Sequence, residues 1–309
     1  MAYRFKKDEP LSSAVKRVFA EEISWAVGHL AHSRKRAEAV HEARKSIKKI
    51  RGLLSLIGGQ IGPARKIQDR YFRDAGRHLS DFRDSTVMLQ TFDGLAEKHP
   101  ALDLKTIKEM RQSLRRPGRH TTAEKKVSSE VVHLLEESRL QADSWPLADL
   151  QFEMLVPAMT ATYRGGRRAF KRAQKADNTE ALHDFRKKVK EHWYHLRLFE
   201  GAGDADLKKR VNDLDELGTC LGDEHNLSVL RARLNAEIET KQDRQKIGEV
   251  INWLDAEANS LRKHALETGE HLYGAKASVF AERLVHLALS LAAKPPASSA
   301  PLRARSAVA

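Results

Sequence analysis

The chain has 309 residues, of which 41% are hydrophobic and 31% are charged, enough apolar material for one large or two ordinary domains. Lysine and arginine number 55 against 42 acidic residues, so the formal net charge is +13. Such an excess indicates a polyanionic partner: nucleic acid, an acidic membrane surface or polyphosphate. The single cysteine, Cys220, excludes an intrachain disulfide and a cysteine zinc cage. Neither a signal peptide nor a membrane span is recognisable, which predicts a cytoplasmic protein without membrane contact.

Apolar residues recur at helical spacing along nearly the whole chain, and no convincing strand alternation occurs, so the sequence predicts an all-α fold. The helices expected first cover residues 11–36, 38–57, 63–80, 84–97, 101–115 and 121–141. Those expected next cover residues 147–176, 180–200, 205–220, 224–241, 243–267 and 271–292. The tail, residues 293–309, is rich in proline and serine and is predicted to be disordered.

An internal repeat relates the two parts of the chain. Residues 38–48 (EAVHEARKSIK) resemble residues 180–190 (EALHDFRKKVK), and the two copies lie 142 residues apart. Residues 79–87 and 221–229 share leucine, aspartate and valine at the same offset. One gap-free offset shared by separate segments predicts two homologous helical halves. We place these halves at residues 1–145 and 146–292.

On a helical wheel, each repeated helix has an apolar side and a cationic side. The cationic side of the first copy carries His41, Arg44, Lys45, Lys48, Lys49 and Arg51. That of the second copy carries His183, Arg186, Lys187, Lys190 and Arg197. Cations at such spacing repel by a few tenths of a kcal/mol per pair, and acids are nearly absent from the first copy beyond Glu42. A row of phosphates would relieve this repulsion and accept charge-assisted hydrogen bonds.

Two other predicted helices also carry cationic stripes. One consists of Lys66, Arg70, Arg73 and Arg77, with Arg83 beyond it. The equivalent positions in the second half are Lys208, Asn212, Asp215 and Thr219, which predicts an asymmetric binding surface. Another stripe consists of Arg164, Arg168, Lys171 and Lys175. One basic stripe is usually a solvated helix face, but several stripes, two of them repeated at one offset, favour a binding surface.

Among the 14 histidines, His41 and His183 occupy equivalent positions near the starts of the repeated helices. Bound phosphate would favour their charged form, whereas local capping or packing is the alternative role. His192 falls on the apolar side and is predicted to lie in the core, while His195 and His225 could take either role. No zinc-ligand spacing such as HExxH occurs, so no metal site is predicted.

The pattern His-x-x-Arg-x-x-x-Lys-Lys-x-Arg at 41–51, with its echo at 183–190, resembles the signature of the CHAD family, the conserved histidine α-helical domain. Residues 79–87 and 221–223 resemble the family's second motif, and the opening residues 3–5 resemble the start of many members. The resemblance extends from residue 3 to 292. It implies two pseudo-symmetric antiparallel four-helix bundles around a basic cavity or pore, and binding of inorganic polyphosphate.

By this resemblance, the first half would contribute His41, Arg44, Lys48, Lys49 and Arg51 to the site, and the second half His183, Arg186 and Lys190. Glu191 and Trp193 stand where the first copy has Lys49 and Arg51, and Thr86 stands where the family often has an acid. Residues 237–241 match the Glu-x-Glu-x-Lys of the CYTH tunnel enzymes to which some members are fused. That string falls in a predicted helix, whereas tunnel chemistry needs the alternation of a strand.

The sequence therefore predicts a non-catalytic protein that binds inorganic polyphosphate without a cofactor, with polyphosphate granules as a candidate target. Nucleic-acid binding is the first alternative, but no aromatic platform or nucleic-acid-reading motif accompanies the cations. An enzyme acting on phosphate chains is the second, although neither a paired-carboxylate metal site nor a nucleophile–base pair is recognisable. The oligomeric state is left open.

Overall fold

The computed structural model describes residues 3–7, 9–33, 35–79, 84–99, 104–114, 121–176, 178–236 and 241–292. All regular structure in these ranges is helical, as the sequence predicts. The α-helices are α1 Leu11–His32, α2 Arg36–Leu56, α3 Ala64–His78, α4 Asp84–Lys98, α5 Leu104–Leu114, α6 Thr121–Gln141, α7 Val156–Ala176, α8 Thr179–Arg197, α9 Ala205–Ala236, α10 Lys241–Tyr273 and α11 Ala277–Ala292. No helix within the described ranges combines the length and apolarity that crossing a membrane requires.

The helix boundaries of the second half differ from the prediction in three places. The helix expected at 147–176 begins only at Val156, after a 3₁₀ turn at Phe152–Leu155, so its predicted start is wrong. Separate helices at 205–220 and 224–241 were expected, but α9 continues through the expected break at Gly222, so this prediction is wrong. Gly222 is buried inside α9, where its missing side chain leaves room for a neighbouring arginine. The break expected between 267 and 271 falls instead at Gly274, whose backbone N–H donates to the carbonyl of Glu270. The tail at 293–309 lies outside the described residues.

The main hydrophobic core joins α1, α2, α3 and α6 to α7, α8, α11 and parts of α9 and α10. The predicted apolar residues of both repeated helices lie in it, each at most 5% exposed: Val40, Ala43, Ile47, Ile50, Leu54 and Ile57, then Leu182, Phe185, Val189, Leu196 and Phe199. His192 is fully buried in the same core, as predicted. Because the apolar sides face inward, the opposite sides of α2 and α8 are left for polar contacts.

A second hydrophobic cluster unites helices from both parts of the chain. Phe92 of α4 and Met110 of α5 pack together with Leu230 of α9 and Val250 of α10. The first part of α9 lies in the main core and its later part in this second cluster, so α9 connects the two. The division into halves at residue 145, the two four-helix bundles and the basic cavity between them stay predictions.

Helices α2 and α8 cross at Gly52. A Cβ atom at this position would lie 2.7 Å from the Cβ of Tyr194, so the crossing is close enough to require glycine. Beside it, the buried His195 Nε2 lies 3.0 Å from the carbonyl oxygen of Gly52, and Ser55 Oγ donates to Glu191 at 3.0 Å. These buried hydrogen bonds fix the two helices against each other at one point.

We expect Gly52→Ala to lower the free energy of unfolding by about 1–3 kcal/mol, because the added methyl group forces α2 and α8 apart. Gly28→Ala in α1 is the matched control, since its methyl group meets no atom within 4 Å. The control should raise stability by about 0.5–1 kcal/mol through helix propensity. Urea unfolding followed by circular dichroism measures both, and an equal gain in the two variants would contradict the close crossing.

Candidate functional site

The cations of the repeated motif share the side of each helix that faces the crossing. On α2, His41, Arg44 and Lys48 precede Gly52 at spacings of three or four residues, and we name these three the α2 strip. On α8, the equivalent α8 strip, His183, Arg186 and Lys190, precedes Tyr194 in the same way. Residues so spaced lie on one face of a helix, and Gly52 contacts Tyr194. The two helices that carry the predicted motifs thus contact each other at Gly52 and Tyr194.

Long side chains of both strips contact glycine positions on the neighbouring helices. Arg44 donates from Nη1 to the carbonyl oxygen of Gly76 on α3, at 3.1 Å. Lys190 lies along α9 where a Cβ at Gly218 would be 2.8 Å from its Cε. Gly76 and Gly218 are separated by the same 142 residues as the motifs. The sequence analysis missed this pair, although the repeat offset could have identified it.

Gly222 plays the same part for Arg186. A Cβ at Gly222 would lie 3.3 Å from two nitrogen atoms of the Arg186 guanidinium, a tighter contact than side chains usually make. This glycine, inside the continuous helix α9, therefore lets an arginine pack closely against α9. Arg186 is half-buried as a result, and its guanidinium is held close to the helix axis rather than extended into solvent.

The outer cations of the α2 basic side pair with carboxylates from other helices. Lys49 Nζ lies 2.8 Å from Glu22 of α1, and Arg51 Nε lies 2.9 Å from Asp69 of α3. Residues 43–57 of the first copy contain no acid, as noted from the sequence, but the neighbouring helices α1 and α3 supply carboxylates to these two cations. Lys49 is only 18% exposed and contacts α1, so it contributes to packing.

Two other cations pair within their own helix, at equivalent places in the repeat. Lys45 Nζ lies 2.9 Å from Glu42, and Lys187 Nζ lies 2.9 Å from Asp184. Both lysine side chains are at least half exposed. Exposed pairs of this kind contribute about 0–1 kcal/mol, so a strong external anion can replace the carboxylate at little cost.

In the second half an aromatic ring holds the cations where the first half has an ion pair. Trp193 occupies the repeat position of Arg51, and its ring centroid lies 4.4 Å from Lys190 Nζ and 4.6 Å from the Arg197 guanidinium. Lys190 also lies 3.0 Å from Asp215 of α9. Cation–π contacts leave the outer hydrogen-bond donors of both cations available to a ligand.

The α3 stripe divides into a paired and an unpaired part. Arg73 and Arg77 both approach Asp74, at 3.7 and 3.5 Å. Lys66 and Arg70 are exposed and contact no carboxylate of the described residues. The first turns of α3 therefore present two uncompensated cations, as the sequence predicts for the stripe as a whole.

The α7 stripe lies on an exposed helix face. Its members contact no carboxylate within the described ranges: Arg164, Arg168, Lys171 and Lys175. Arg172 of α7 follows Lys171 of this stripe and lies near Asp184 of α8. The pKa of the Asp184 carboxyl is lowered mainly by its hydrogen bond with Lys187 and also by the charge of Arg172. The α7 cations thus continue the basic surface of α8. Arg83, the remaining predicted site residue, lies outside the described residues.

His183 stacks on His225 of α9, with ring centroids 4.3 Å apart and planes inclined at 27°. The pKa of His225 is lowered to about 4. Burial is the largest cause, and His183, Arg186 and Lys187 contribute to the same lowering. Burial, followed by Lys187 and Arg186, also lowers the pKa of His183, against the opposing effect of Asp184. Both rings are therefore neutral near pH 7. The sequence left the role of His225 open, and the structure places it beside the motif.

The junction beneath the crossing brings a serine close to a histidine, since Ser55 Oγ lies 3.1 Å from His195 Nε2 and donates to Glu191 at 3.0 Å. His195 Nε2 also faces the carbonyl oxygen of Gly52, which can only accept, so Nε2 carries the proton and donates it. The Nδ1 atom of His195 faces Thr162 Oγ1 at 3.2 Å. These hydrogen bonds join α2, α7 and α8 at the crossing. The described residues contain no group of three or more side chains placed to hold a metal ion.

Two cavities lie away from the crossing. One, of about 290 Å³, lies between the start of α8 and helices α9 and α10, where Arg231 pairs with Asp255 at 2.6 Å. The other, of about 470 Å³, lies between α4, α9 and α10, where Lys98 pairs with Glu257. The charged groups named at each cavity are already paired, so neither matches the cationic character of the strips.

Fold and charge distribution together define an all-helical protein in which two cation-bearing helices cross. The family model of the CHAD domain matches residues 13–235, and the chain belongs to the CHAD domain family. The chain is also similar to the crystal structure of the CHAD domain from the plant Ricinus communis, with a TM-score of 0.60 and 19% identity over 89% of this chain and 96% of that one. This likeness shows a shared fold. The comparison with curated proteins gives no match.

The neutral state of His225 predicts a pH-dependent stability. Between pH 6.5 and about 4, an unfolded histidine binds a proton that the folded His225 does not, so stability falls as pH falls. We expect His225→Gln to flatten this part of the stability curve by up to about 1.4 kcal/mol per pH unit. Urea unfolding from pH 4.5 to 7 measures the slope, with the exposed His286→Gln as control. Parallel curves for wild type and His225→Gln would refute the assignment.

Proposed function

We propose that this protein binds inorganic polyphosphate, without cleaving it, where the α2 strip and the α8 strip meet. The supporting observation is that α2 and α8, the two helices that carry the copies of one cationic motif, contact each other at Gly52 and Tyr194. A linear chain of phosphates that passes over this crossing can contact both copies. Arg44 and Arg186 occupy equivalent places, and guanidinium groups can bind two phosphate oxygens at once.

Membership of the CHAD family supports the same function, because CHAD domains are associated with polyphosphate-related proteins. A binding module of this kind would bring the chain to polyphosphate granules, which we propose as its target. The net charge of +13 supports a partner that carries many negative charges.

The ion pairs on the two motif helices would allow a phosphate chain to replace a carboxylate as the partner of a lysine. Glu42 and Asp184 hold Lys45 and Lys187 in place in the free protein, and each pair is exposed. A phosphate chain offers the lysines a partner of higher charge density, and the released carboxylates can be hydrated at the surface. The exposed cations of α7 and of the first turns of α3 would then guide or extend the bound chain.

Reversing one exposed cation on each motif helix tests the proposed surface. We expect Lys48→Glu with Lys187→Glu to weaken binding to long-chain polyphosphate by about tenfold or more, and to reduce the slope of log K against log salt by about 1–2. Fluorescence anisotropy with labelled polyphosphate at several salt concentrations provides the measurement. The double variant should remain folded because both side chains are exposed.

Lys108→Glu with Lys276→Glu is the matched control, since it changes the net charge equally at exposed positions on α5 and before α11. The control should retain most of the wild-type affinity. An equal loss of affinity in both variants would show that net charge alone attracts polyphosphate. It would refute the assignment of the binding site to the crossing of α2 and α8.

Competition distinguishes polyphosphate from nucleic acid as the ligand. We expect RNA and DNA of matched charge to displace labelled polyphosphate weakly, because the strips lack a stacking platform that would recognise bases. Displacement at equal concentrations would favour the nucleic-acid alternative. Free phosphate is measured in the same samples with added magnesium or manganese, and its release would contradict non-catalytic binding.

A further inference from the structure

The stacked pair of His183 and His225 has an unusual hydrogen-bond state. The Nδ1 atoms of both rings are buried and have no hydrogen-bond partner among the described residues. The rings stack 4.3 Å apart between α8 and α9, directly beside Arg186 of the α8 strip. A ligand on the α8 strip can therefore approach the pair only at the outer ring edges, which carry the Nε2 atoms.

The charged surroundings keep the pair neutral in the free protein. Charged groups from several helices surround the pair or interact with a residue next to it. They are Asp184, Arg186 and Lys187 on α8, Asp223 and Glu224 on α9, Arg172 on α7, Lys98 on α4 and Arg262 on α10, and the last three act on the acids rather than on the rings. Most of the acids are already engaged: Asp184 with Lys187, and the buried Glu224 with Arg262 at 3.1 Å. Two cations, Arg186 and Lys187, therefore dominate the field at the pair.

We propose that the His183–His225 pair couples polyphosphate binding to proton uptake, so that binding strengthens as pH falls. The inference rests on the proposed function. A phosphate chain held by Arg186 and Lys187 adds negative charge next to the rings and cancels the two charges that oppose protonation. One imidazole then takes a proton from the solvent and becomes an imidazolium that donates from Nε2 to a phosphate oxygen.

The stacking limits the uptake to about one proton per pair. Two imidazolium rings 4.3 Å apart would repel, so protonation of one ring opposes protonation of the other. The first half is arranged differently, since His41 is 45% exposed and its Nε2 lies 3.9 Å from a carboxylate oxygen of Glu42. Because Glu42 can already stabilise a positive charge on His41, bound phosphate would change the protonation of His41 less. The coupling is therefore assigned to the histidine pair of the second half.

The test compares the pH dependence of polyphosphate affinity in wild type and in His183→Gln/His225→Gln. Uptake of one proton makes affinity rise by up to about tenfold per pH unit. Between pH 7.5 and 5.5 we expect the wild-type affinity to rise at least about tenfold more than that of the double variant. The control, His264→Gln/His286→Gln, removes two exposed histidines and should follow the wild type. Calorimetry in two buffers of different ionisation enthalpy counts the protons taken up.

Equal pH dependence in wild type and in the His183/His225 variant would overturn the inference while leaving polyphosphate binding intact. Absence of binding at every pH would overturn the proposed function as well. If the double variant does not fold, the histidine ring resonances of the wild type decide the matter. The resonances of His225 should titrate near pH 4 in the free protein. With polyphosphate, the titration midpoint of His183 or of His225 should rise by about two pH units or more. Unchanged midpoints of both rings would refute the coupling.

Discussion

The close approach of α2 to Tyr194 at Gly52 determines where the cations of both motif helices lie. Because each helix buries its apolar side, the contact can form only on the polar side, which is the side that carries the strips. Two hydrogen bonds, from His195 to the Gly52 carbonyl and from Ser55 to Glu191, also connect α2 to α8 at this contact. Helices α2 and α8 are thereby fixed at this point by a close glycine contact and by hydrogen bonds, and the repulsion among the cations of each strip is left for neighbours or a ligand to relieve.

The carboxylates that meet these cations belong to two physical classes. Glu22 is 6% exposed and accepts hydrogen bonds from Ser46 and Lys49, at 2.7 and 2.8 Å. Breaking such a buried pair costs about 3–5 kcal/mol, so Lys49 belongs to the framework that joins α1 to α2. Glu42, whose side chain is 22% exposed, holds the half-exposed Lys45 more weakly, by about 0–1 kcal/mol. A polyanion can compete for the second class of cation and not for the first.

The periodicity of single helices was enough to predict the all-α fold, the buried sides of α2 and α8, and His192 in the core. It could not predict that Glu22 pairs with Lys49, since a helical wheel contains no neighbouring helix. The break expected between residues 220 and 224 does not occur, and Gly222 instead packs against Arg186 inside α9. The stacking of His183 on His225 likewise depends on contacts between helices.

The two halves hold equivalent cations by different means, and the difference begins at two repeat positions. Lys49 is replaced by Glu191, which accepts from Ser55 at the crossing and pairs with Lys188, so a cation of one half corresponds to a junction residue of the other. Arg51, paired with Asp69, is replaced by Trp193. Salt screens exposed carboxylate pairs, whereas protons act on buried imidazoles. A surface built from related helices can therefore respond to ionic strength through the carboxylate pairs of both halves and to pH through the imidazole pair of the second half.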